Sequence, residues 1–409
     1  MSLENNLIAS IDIWSSKIRT IIWKFNEENK ENFQVLGVGI VESTAIRKGN
    51  ILDMDEFKDN LDKSLEEAEK IAWEQVAGAT ISFNSSHLEV FNSKWVVSVS
   101  AEEIDYDDID RVMDMVKNWV DLSNKEILKV IPDYYTVDLE SGIRSPIGMS
   151  ARKLELNANI FTMNFSMLNN IRKAISDVWI EIYDIYPNLI SAPEWILSKR
   201  QKELWVVVVD IWASTTGITV YEEGSLKFAK VIPIWAENVT NDIALWTRVS
   251  IDTAERLKLE YAEVIRDKEE IISKEIDLKK ISKNEEWKVE TDYLSKIVTA
   301  RYEEIFNFVR EELRYIWKDW MLPEWAILVW SGSKMKGWVD LAKEILRLPV
   351  VIGTPIEKDS LTWTSISDPS FASVIWTLIL ANKYTEETQG FKMNFLESLK
   401  KLFKKIMPF

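Results

Sequence analysis

Two stretches of this chain follow one plan. In the first, an apolar run over 7–13 carries Asp12 near its end, and a tight polar turn follows. An alternating run over 17–25 then returns, and a third run covers 33–41. In the second, a continuous apolar run over 204–211 carries Asp210, with further runs over 218–221 and 226–232 joined through Glu222-Glu223-Gly224-Ser225. Runs of this kind predict strands, the uninterrupted ones buried on both faces. A duplication on this scale constrains the fold more than any single motif. After the first copy, Met54, Phe57, Leu61, Leu65, Ala68 and Ile71 fall at helical spacing and predict a helix over 53–71, with a short strand at 79–83. Strands followed by a helix and a strand make an α/β beginning.

The rest of the chain is organised around these copies. Residues 85–165 read as an inserted subdomain, with an acidic helix near 109–116 and extended segments around 127–137 and 159–164. A helix is predicted over 167–178 and a strand over 182–185. From about 238 to 314 the chain is charged and mostly helical; its most polar part, 264–290, reads as a mobile loop or small strands. A buried strand at 325–329, a helix near 339–346, an apolar helix over 371–382 and a polar linker at 385–390 complete the body.

Composition narrows the function. At 409 residues the chain has room for two to four domains. It has no cysteine, which excludes a disulfide framework and a thiolate zinc site. Its one histidine, His87, argues against a histidine-dependent hydrolase. His87 follows Phe83-Asn84-Ser85-Ser86, where a structural, hydrogen-bonded role competes with a catalytic one. The net charge of −16 argues against nucleic acid as a partner. The first residues have neither the basic flank nor the apolar core of a secretory signal, and no apolar run of about 18 residues predicts a spanning helix.

The chemistry lies in the turns. The first reads Asp12-Ile13-Trp14-Ser15-Ser16-Lys17 and its counterpart Asp210-Ile211-Trp212-Ala213-Ser214-Thr215-Thr216. Val329-Trp330-Ser331-Gly332-Ser333 follows a later strand. Two such turns, one from each half, can face each other across a cleft and cradle a triphosphate with backbone N–H groups and hydroxyls. Glycine suits these turns because the backbone must take φ > 0 and approach the phosphates closely. For one turn alone a plainer reading competes, in which the aspartate caps the turn and the serines solvate it. The pairing of two turns favours the cradle.

With each tryptophan of these turns read as glycine, the chain resembles the superfamily of actin, Hsp70 and the sugar kinases, and within it the FtsA family of bacterial cell-division proteins. The likeness extends to Val130-Ile131-Pro132, Pro146-Ile147-Gly148-Met149, Lys230-Val231-Ile232-Pro233, Asp242-Ile243-Ala244, Ala254-Glu255 with Lys258, and Asp368-Pro369-Ser370-Phe371-Ala372. It implies an α/β, actin-like two-lobed fold with duplicated sheet-and-helix cores, an FtsA-type inserted subdomain and a C-terminal amphipathic helix. The implied division gives lobe 1 residues 1–84, 166–203 and a closing helix at 366–384, with the insert at 85–165. Lobe 2 takes 204–243 and 315–365, with a helical subdomain at 244–314. A linker at 385–390 and a tail at 391–409 follow.

The resemblance implies that Ser15, Ser16 and Lys17, in the turn with Trp14, contact the phosphates of ATP from one side. Ser214, Thr215 and Thr216, in the turn with Trp212, would do so from the other. Asp12 and Asp210 would hold Mg²⁺ through water, as suits a hard cation. Glu255, Lys258, Gly332 and Ser333, with the Trp330 turn, would line the adenosine. Many superfamily members carry an acidic residue where Thr216-Gly217 stands here, so the expectation is an ATP-binding switch with slow turnover at most. The implied role is tethering the tubulin-like protein FtsZ to the cytoplasmic face of the cell membrane at the division site. Self-assembly into filaments and contacts with later division proteins go with it. The alternatives are a small-molecule or sugar kinase of the same superfamily, which would need a catalytic base that no motif supplies, and a pilus-assembly scaffold of the same fold.

The tail supports the tether. Phe395, Leu396, Leu399, Leu402, Phe403, Ile406 and Met407 recur at helical spacing, while Lys400, Lys401, Lys404 and Lys405 join Lys392 against Glu397 alone. The segment carries +4 and the rest of the chain −20. A basic amphipathic helix on an acidic body reads as an interfacial membrane anchor, each lysine adding on the order of 1 kcal/mol near an anionic leaflet. Docking on the chain's own acidic body, or on a partner helix, is the competing reading.

Tryptophan and glycine share one anomaly. Tryptophan holds 19 positions and glycine 12, together 31, whereas average usage gives about 29 glycines alone. Besides the three turns, Trp95, Trp235, Trp246, Trp338 and Trp376 stand near turns or where relatives of this kind place small residues. The reading is that the source decodes the UGA codon as glycine where this translation has tryptophan. A tryptophan-rich surface, as in a carbohydrate binder, would not put indoles in three phosphate turns.

Overall fold

The computed structural model describes residues 7–14, 17–25, 33–47, 49–83, 85–118, 122–211, 215–232, 234, 236–265, 273–282, 285–316, 325–329, 335–353, 374 and 377. The linker, the tail with all of its expected membrane-contacting residues, and most of the expected helix over 371–382 lie outside these; Val374 and Thr377 are both helical and buried.

The duplication holds down to the hydrogen-bonding sense of each strand pair. The first half opens with β1 (Leu7–Ile13), β2 (Lys17–Phe25), β3 (Phe33–Glu42), the short pair β4 (Ile46–Arg47) and β5 (Asn50–Ile51), α1 (Met54–Ala72) and β6 (Gly78–Phe83). After the insert it closes with α3 (Phe165–Asp177) and β11 (Glu181–Pro187). Its sheet runs β11-β6-β1-β2-β3, antiparallel at β1–β2 and β2–β3, parallel at β1–β6 and β6–β11. The second half contains β12 (Val206–Ile211), β13 (Thr216–Glu222), β14 (Ser225–Ile232), β17 (Ala326–Val329) and β18 (Val350–Ile352). Its sheet runs β18-β17-β12-β13-β14 with the same alternation of senses. Between the halves stand α4 (Asn188–Ile196) and α5 (Lys199–Glu203), two helices the sequence reading did not anticipate.

Local chemistry explains the layers. All six residues of β12 are buried, as its run of four valines predicts for a central strand. Helix α1 starts where the Asp53 carboxylate accepts from the backbone N–H groups of Asp55 and Glu56. It turns Phe57, Leu61, Leu65 and Ala68 to the core. It rests on β3 at Gly37 and Gly39, where an added Cβ would collide with the carbonyls of Ala68 and Ser64.

The insert is a second layer system with its own core. Strands β7 (Glu89–Ser98), β8 (Lys125–Val137), β9 (Glu140–Ile143) and β10 (Lys153–Asn164) form a sheet in the order β7-β10-β8-β9, with α2 (Tyr106–Asn118) packed on it. Val112, Val116, Leu154, Leu156, Ala158 and Ile160 fill the space between. Lobe 2 carries the helices α6 (Ala236–Thr247), α7 (Ile251–Tyr261), α8 (Thr291–Tyr315) and α9 (Trp338–Leu346), and the small hairpin β15 (Glu275–Asp277) and β16 (Lys288–Glu290). That hairpin occupies part of the 264–290 stretch.

Among the described residues, four helix ends carry a non-glycine residue in the left-handed region: Arg248 past α6, Arg347 at the end of α9, and two tryptophans. Trp73, at the end of α1, has φ 58°, and Trp179, just past α3, has φ 63°. Trp179 donates its N–H to Ser176 O (3.0 Å), and Ile180 donates to Ile175 O (3.3 Å). This pair of bonds is the Schellman motif, whose left-handed residue is usually glycine. Both indoles are more than 90% exposed, at 91% and 92%.

Candidate nucleotide site

The two aspartates occupy equivalent places in the two sheets. Asp12 lies in register between Arg19 on β2 and Ser82 on β6. Asp210 lies between Gly217 on β13 and Val329 on β17. Both are buried, at 0% and 3% exposure. The start of α4 joins their surroundings. Asn188 donates from Nδ2 to Asp12 Oδ1 at 3.2 Å, and the Ser82 hydroxyl donates to Asn188 Oδ1. The next residue, Leu189, closes on Gly217, where an added Cβ would come within 2.5 Å of its Cδ1. Consecutive Cα atoms are about 3.8 Å apart, so neighbouring residues of one helix reach Asp12 and Gly217, the register partner of Asp210.

Burial pushes the Asp12 carboxyl up from 3.8 to about 7. The Arg19 charge and hydrogen bonds from Ser82, Asn188 and Trp14 act the other way and favour the carboxylate. Asp12 Oδ2 is buried without a hydrogen-bond partner of normal geometry among the described residues. An unsatisfied buried carboxylate oxygen is costly, and a water on a hard cation would satisfy it. Two buried carboxylates beside hydroxyl-rich turns therefore fit Mg²⁺ with phosphate.

The other expected residues divide. Trp14 closes the first turn by donating N–H to Lys17 O at 2.9 Å, and the Arg19 guanidinium sits 3.8 Å from its ring centroid. Lys17 pairs with Glu42 at 3.6 Å. Thr215 is buried in the second turn, whereas the Thr216 hydroxyl donates to Ile234 O at 2.5 Å and serves lobe 2 itself. Ser15, Ser16, Trp212, Ser214, Trp330, Gly332 and Ser333 lie outside the described residues. Glu255 and Lys258 meet on α7, Lys258 Nζ lying 2.6 Å from Glu255 Oε2 and 2.8 Å from Thr240 Oγ1 of α6. Lys258 is only 6% exposed. His87 Nε2 lies 3.4 Å from Asn50 Nδ2 at the edge of a polar cavity of about 190 Å³, away from the two aspartates' partners. The sequence reading missed Ser82, Asn188 and Arg19. Asn188 carried a signal, since it follows Pro187 at the start of an apolar stretch.

Comparison with known proteins agrees with this architecture. The family model described as "Cell division protein FtsA" matches residues 207–375, and the one described as "SHS2 domain inserted in FTSA" matches 85–162, the inserted sheet. The chain belongs to the FtsA family. A Bacillus subtilis FtsA is 29% identical to this FtsA-family chain over 96% of it and 87% of the relative. A Pseudomonas aeruginosa FtsA is 28% identical over 87% and 85%. Among solved structures, a PilM–PilN pilus biogenesis complex matches with TM-score 0.66 at 10% identity, covering 91% of this chain and 98% of that one. MreB5 of Spiroplasma citri bound to AMPPNP matches with TM-score 0.54 at 12% identity, covering 95% and 99%. These establish the actin-like fold. As an FtsA-family member the chain is an actin-like, nucleotide-binding cell-division protein.

Proposed function

We propose that this chain links FtsZ filaments to the cytoplasmic face of the cell membrane at the division site. It binds ATP with Mg²⁺ between its lobes, assembles with copies of itself and meets later division proteins. The observation that carries the reading is the doubled aspartate hairpin joined to an FtsA-type insert. Asp12 and Asp210 would hold Mg²⁺ through water, and the turns at 14–17 and 212–216 would hold phosphate. Bound ATP would supply the charge on which the two turns close. Asn188 and Ser82 orient Asp12, while Glu255 and Lys258 stand as the adenosine-side residues. Lobe 1 would then comprise 1–84, 166–203 and 366–384 with the insert at 85–165, and lobe 2 would comprise 204–365 with its helical subdomain at 244–314.

The tail at 391–409 would supply the membrane contact. One such helix binds reversibly, and an array of them binds firmly through effective concentration. FtsZ would dock on the helical subdomain. A groove of about 410 Å³ between α6 and α8 there is lined by Asp242, Tyr293, Lys296, Ile297 and Arg301. Leu245 nearby on α6 is 72% exposed. Pull-down of FtsZ from the same source tests this. Retention by the native chain and loss with Arg301→Glu are expected; retention unaffected by the substitution would move the docking site elsewhere, and no retention would reject the tether.

The tryptophan count belongs to the same reading. Positions 73, 179 and those of the phosphate turns are proposed to be glycine in the native protein. A left-handed non-glycine residue costs about 1–2 kcal/mol, and an exposed indole recovers none of it by packing. Trp338 differs, being fully buried against Tyr302 and Phe306 at ring distances of 6.1 and 5.9 Å. Peptide mass spectrometry of protein from its native source decides each position, and tryptophan at 14, 73, 179 and 212 would end the idea.

A further inference from the structure

The insert belongs to lobe 1 by chain connection, entering from β6 and leaving into α3. Its ties to that lobe include Arg172 of α3 paired with Glu126 of β8 at 2.8 Å, and Lys129 of β8 paired with Asp184 of β11. Yet it also grips lobe 2, and its polar contacts converge on the turn between β13 and β14. Asn159, 3% exposed on β10, donates from Nδ2 to Leu226 O at 2.6 Å. Asp133 of β8 accepts from Lys227 Nζ at 2.8 Å, its side chain 6% exposed, and Lys227 also lies 5.2 Å from the Tyr134 ring centroid. Arg144, past β9, donates to Glu223 O in that turn, while its fork onto both oxygens of Glu203 at 2.8 Å each holds α5, the last helix before lobe 2 begins.

The turn is itself tied down. Gly224 has φ 72°, and an added Cβ would meet the Arg144 guanidinium at 3.0 Å. Glu223 and Gly224 donate their N–H groups to Glu203 O and Lys202 O of α5 at 3.1 and 2.8 Å. Beneath these bonds Leu88 and Phe161 of the insert share one apolar cluster with Val208, Tyr221 and Leu226 of lobe 2. A cavity of about 290 Å³ remains in the seam, lined by Asp133, Arg144, Tyr186, Glu194 and Tyr221 among others. The seam is therefore fastened at points over incomplete packing, an arrangement that can yield when the points are released.

We propose that the inserted subdomain is a brace between the lobes. Its grip on the β13–β14 turn through Asn159, Asp133 and Arg144 limits how far lobe 2 can rotate against lobe 1. β13 spans seven residues from Thr216 beside Asp210 to Glu222 at the gripped turn, a lever of about 20 Å at roughly 3.3 Å per residue. Motion at the aspartate hairpin is resisted at the lever's far end. The inference does not depend on what the cleft binds.

The test uses the full chain, whose lack of cysteine lets two labels be placed cleanly. Spin labels on Glu66→Cys in α1 and Glu311→Cys in α8 report the separation of the lobes. Hydrogen exchange reports the amides of 225–232. In the Arg144→Ala, Lys227→Ala double variant, the distance distribution should broaden, and exchange over 225–232 should rise about tenfold while 206–211 stays protected. Should loss of Lys227 beside buried Asp133 unfold the protein, Arg144→Ala alone removes the bond to the Glu223 carbonyl of the turn and is expected to give a smaller change in the same direction. Distance distributions and exchange indistinguishable from the parent chain in both variants would overturn the proposal.

Discussion

Asp12 should weaken the fold it sits in, and by an amount that depends on pH. Its carboxyl is raised from 3.8 to about 7 by burial. Below about pH 4 it is protonated in both folded and unfolded chains and costs nothing. As pH rises from about 4 to 7 the unfolded chain ionises while the folded one resists, and stability drains away; above 7 the loss is complete. Each factor of ten in proton affinity is about 1.4 kcal/mol, so the full loss is about 4 kcal/mol at most. Asp12→Asn keeps an oxygen to accept from Asn188 and removes the charge. Urea unfolding followed by circular dichroism should show the variant more stable than the parent at pH 8, by about 2–4 kcal/mol, and by under about 2 kcal/mol at pH 5. A gain equal at both pH values, or a loss at pH 8, would refute the argument that desolvation dominates at this carboxyl.

Other changes follow from particular contacts. Trp73→Gly and Trp179→Gly should each stabilise the chain by about 1 kcal/mol in the same assay, because the backbone strain goes and no packing is lost; a loss would show the indoles are native features. Gly39→Ala should cost about 2 kcal/mol or more, since its Cβ collides with the Ser64 carbonyl of α1. Lys258→Ala removes the ammonium from a triad in which Thr240 already donates to Glu255 at 2.6 Å, and with Glu255 43% exposed it should lower stability by about 1 kcal/mol; an unchanged urea midpoint would mean this triad holds nothing.

Much of the fold was legible because it is written in burial patterns that repeat. The apolar runs ending in Asp12 and Asp210 mark the central strand of each sheet, and both aspartates landed at matching register positions. Strand β7 escaped because none of its residues is buried: half-buried positions alternate with exposed ones, and Asn92-Ser93-Lys94 at its middle interrupts the apolar pattern. Helix α4 escaped because it is apolar nearly all round and contains Pro193. Its first residue then proved to hold Asp12, a contact across 176 positions that no local spacing reveals. The Thr216 hydroxyl shows the converse: a residue type suited to phosphate is already used by Ile234 O, a bond formed only once β14 has returned.

The proposed tether requires that one chain hold FtsZ and a lipid surface at once. The most direct measurement is flotation of FtsZ with vesicles containing anionic lipid, with the native full chain and with the chain ending at residue 390. FtsZ should float with the vesicles only when the full chain is present, and the shortened chain should still bind FtsZ in solution. FtsZ that floats equally well with the shortened chain, or never floats with the full one, would rule out a tether through the tail.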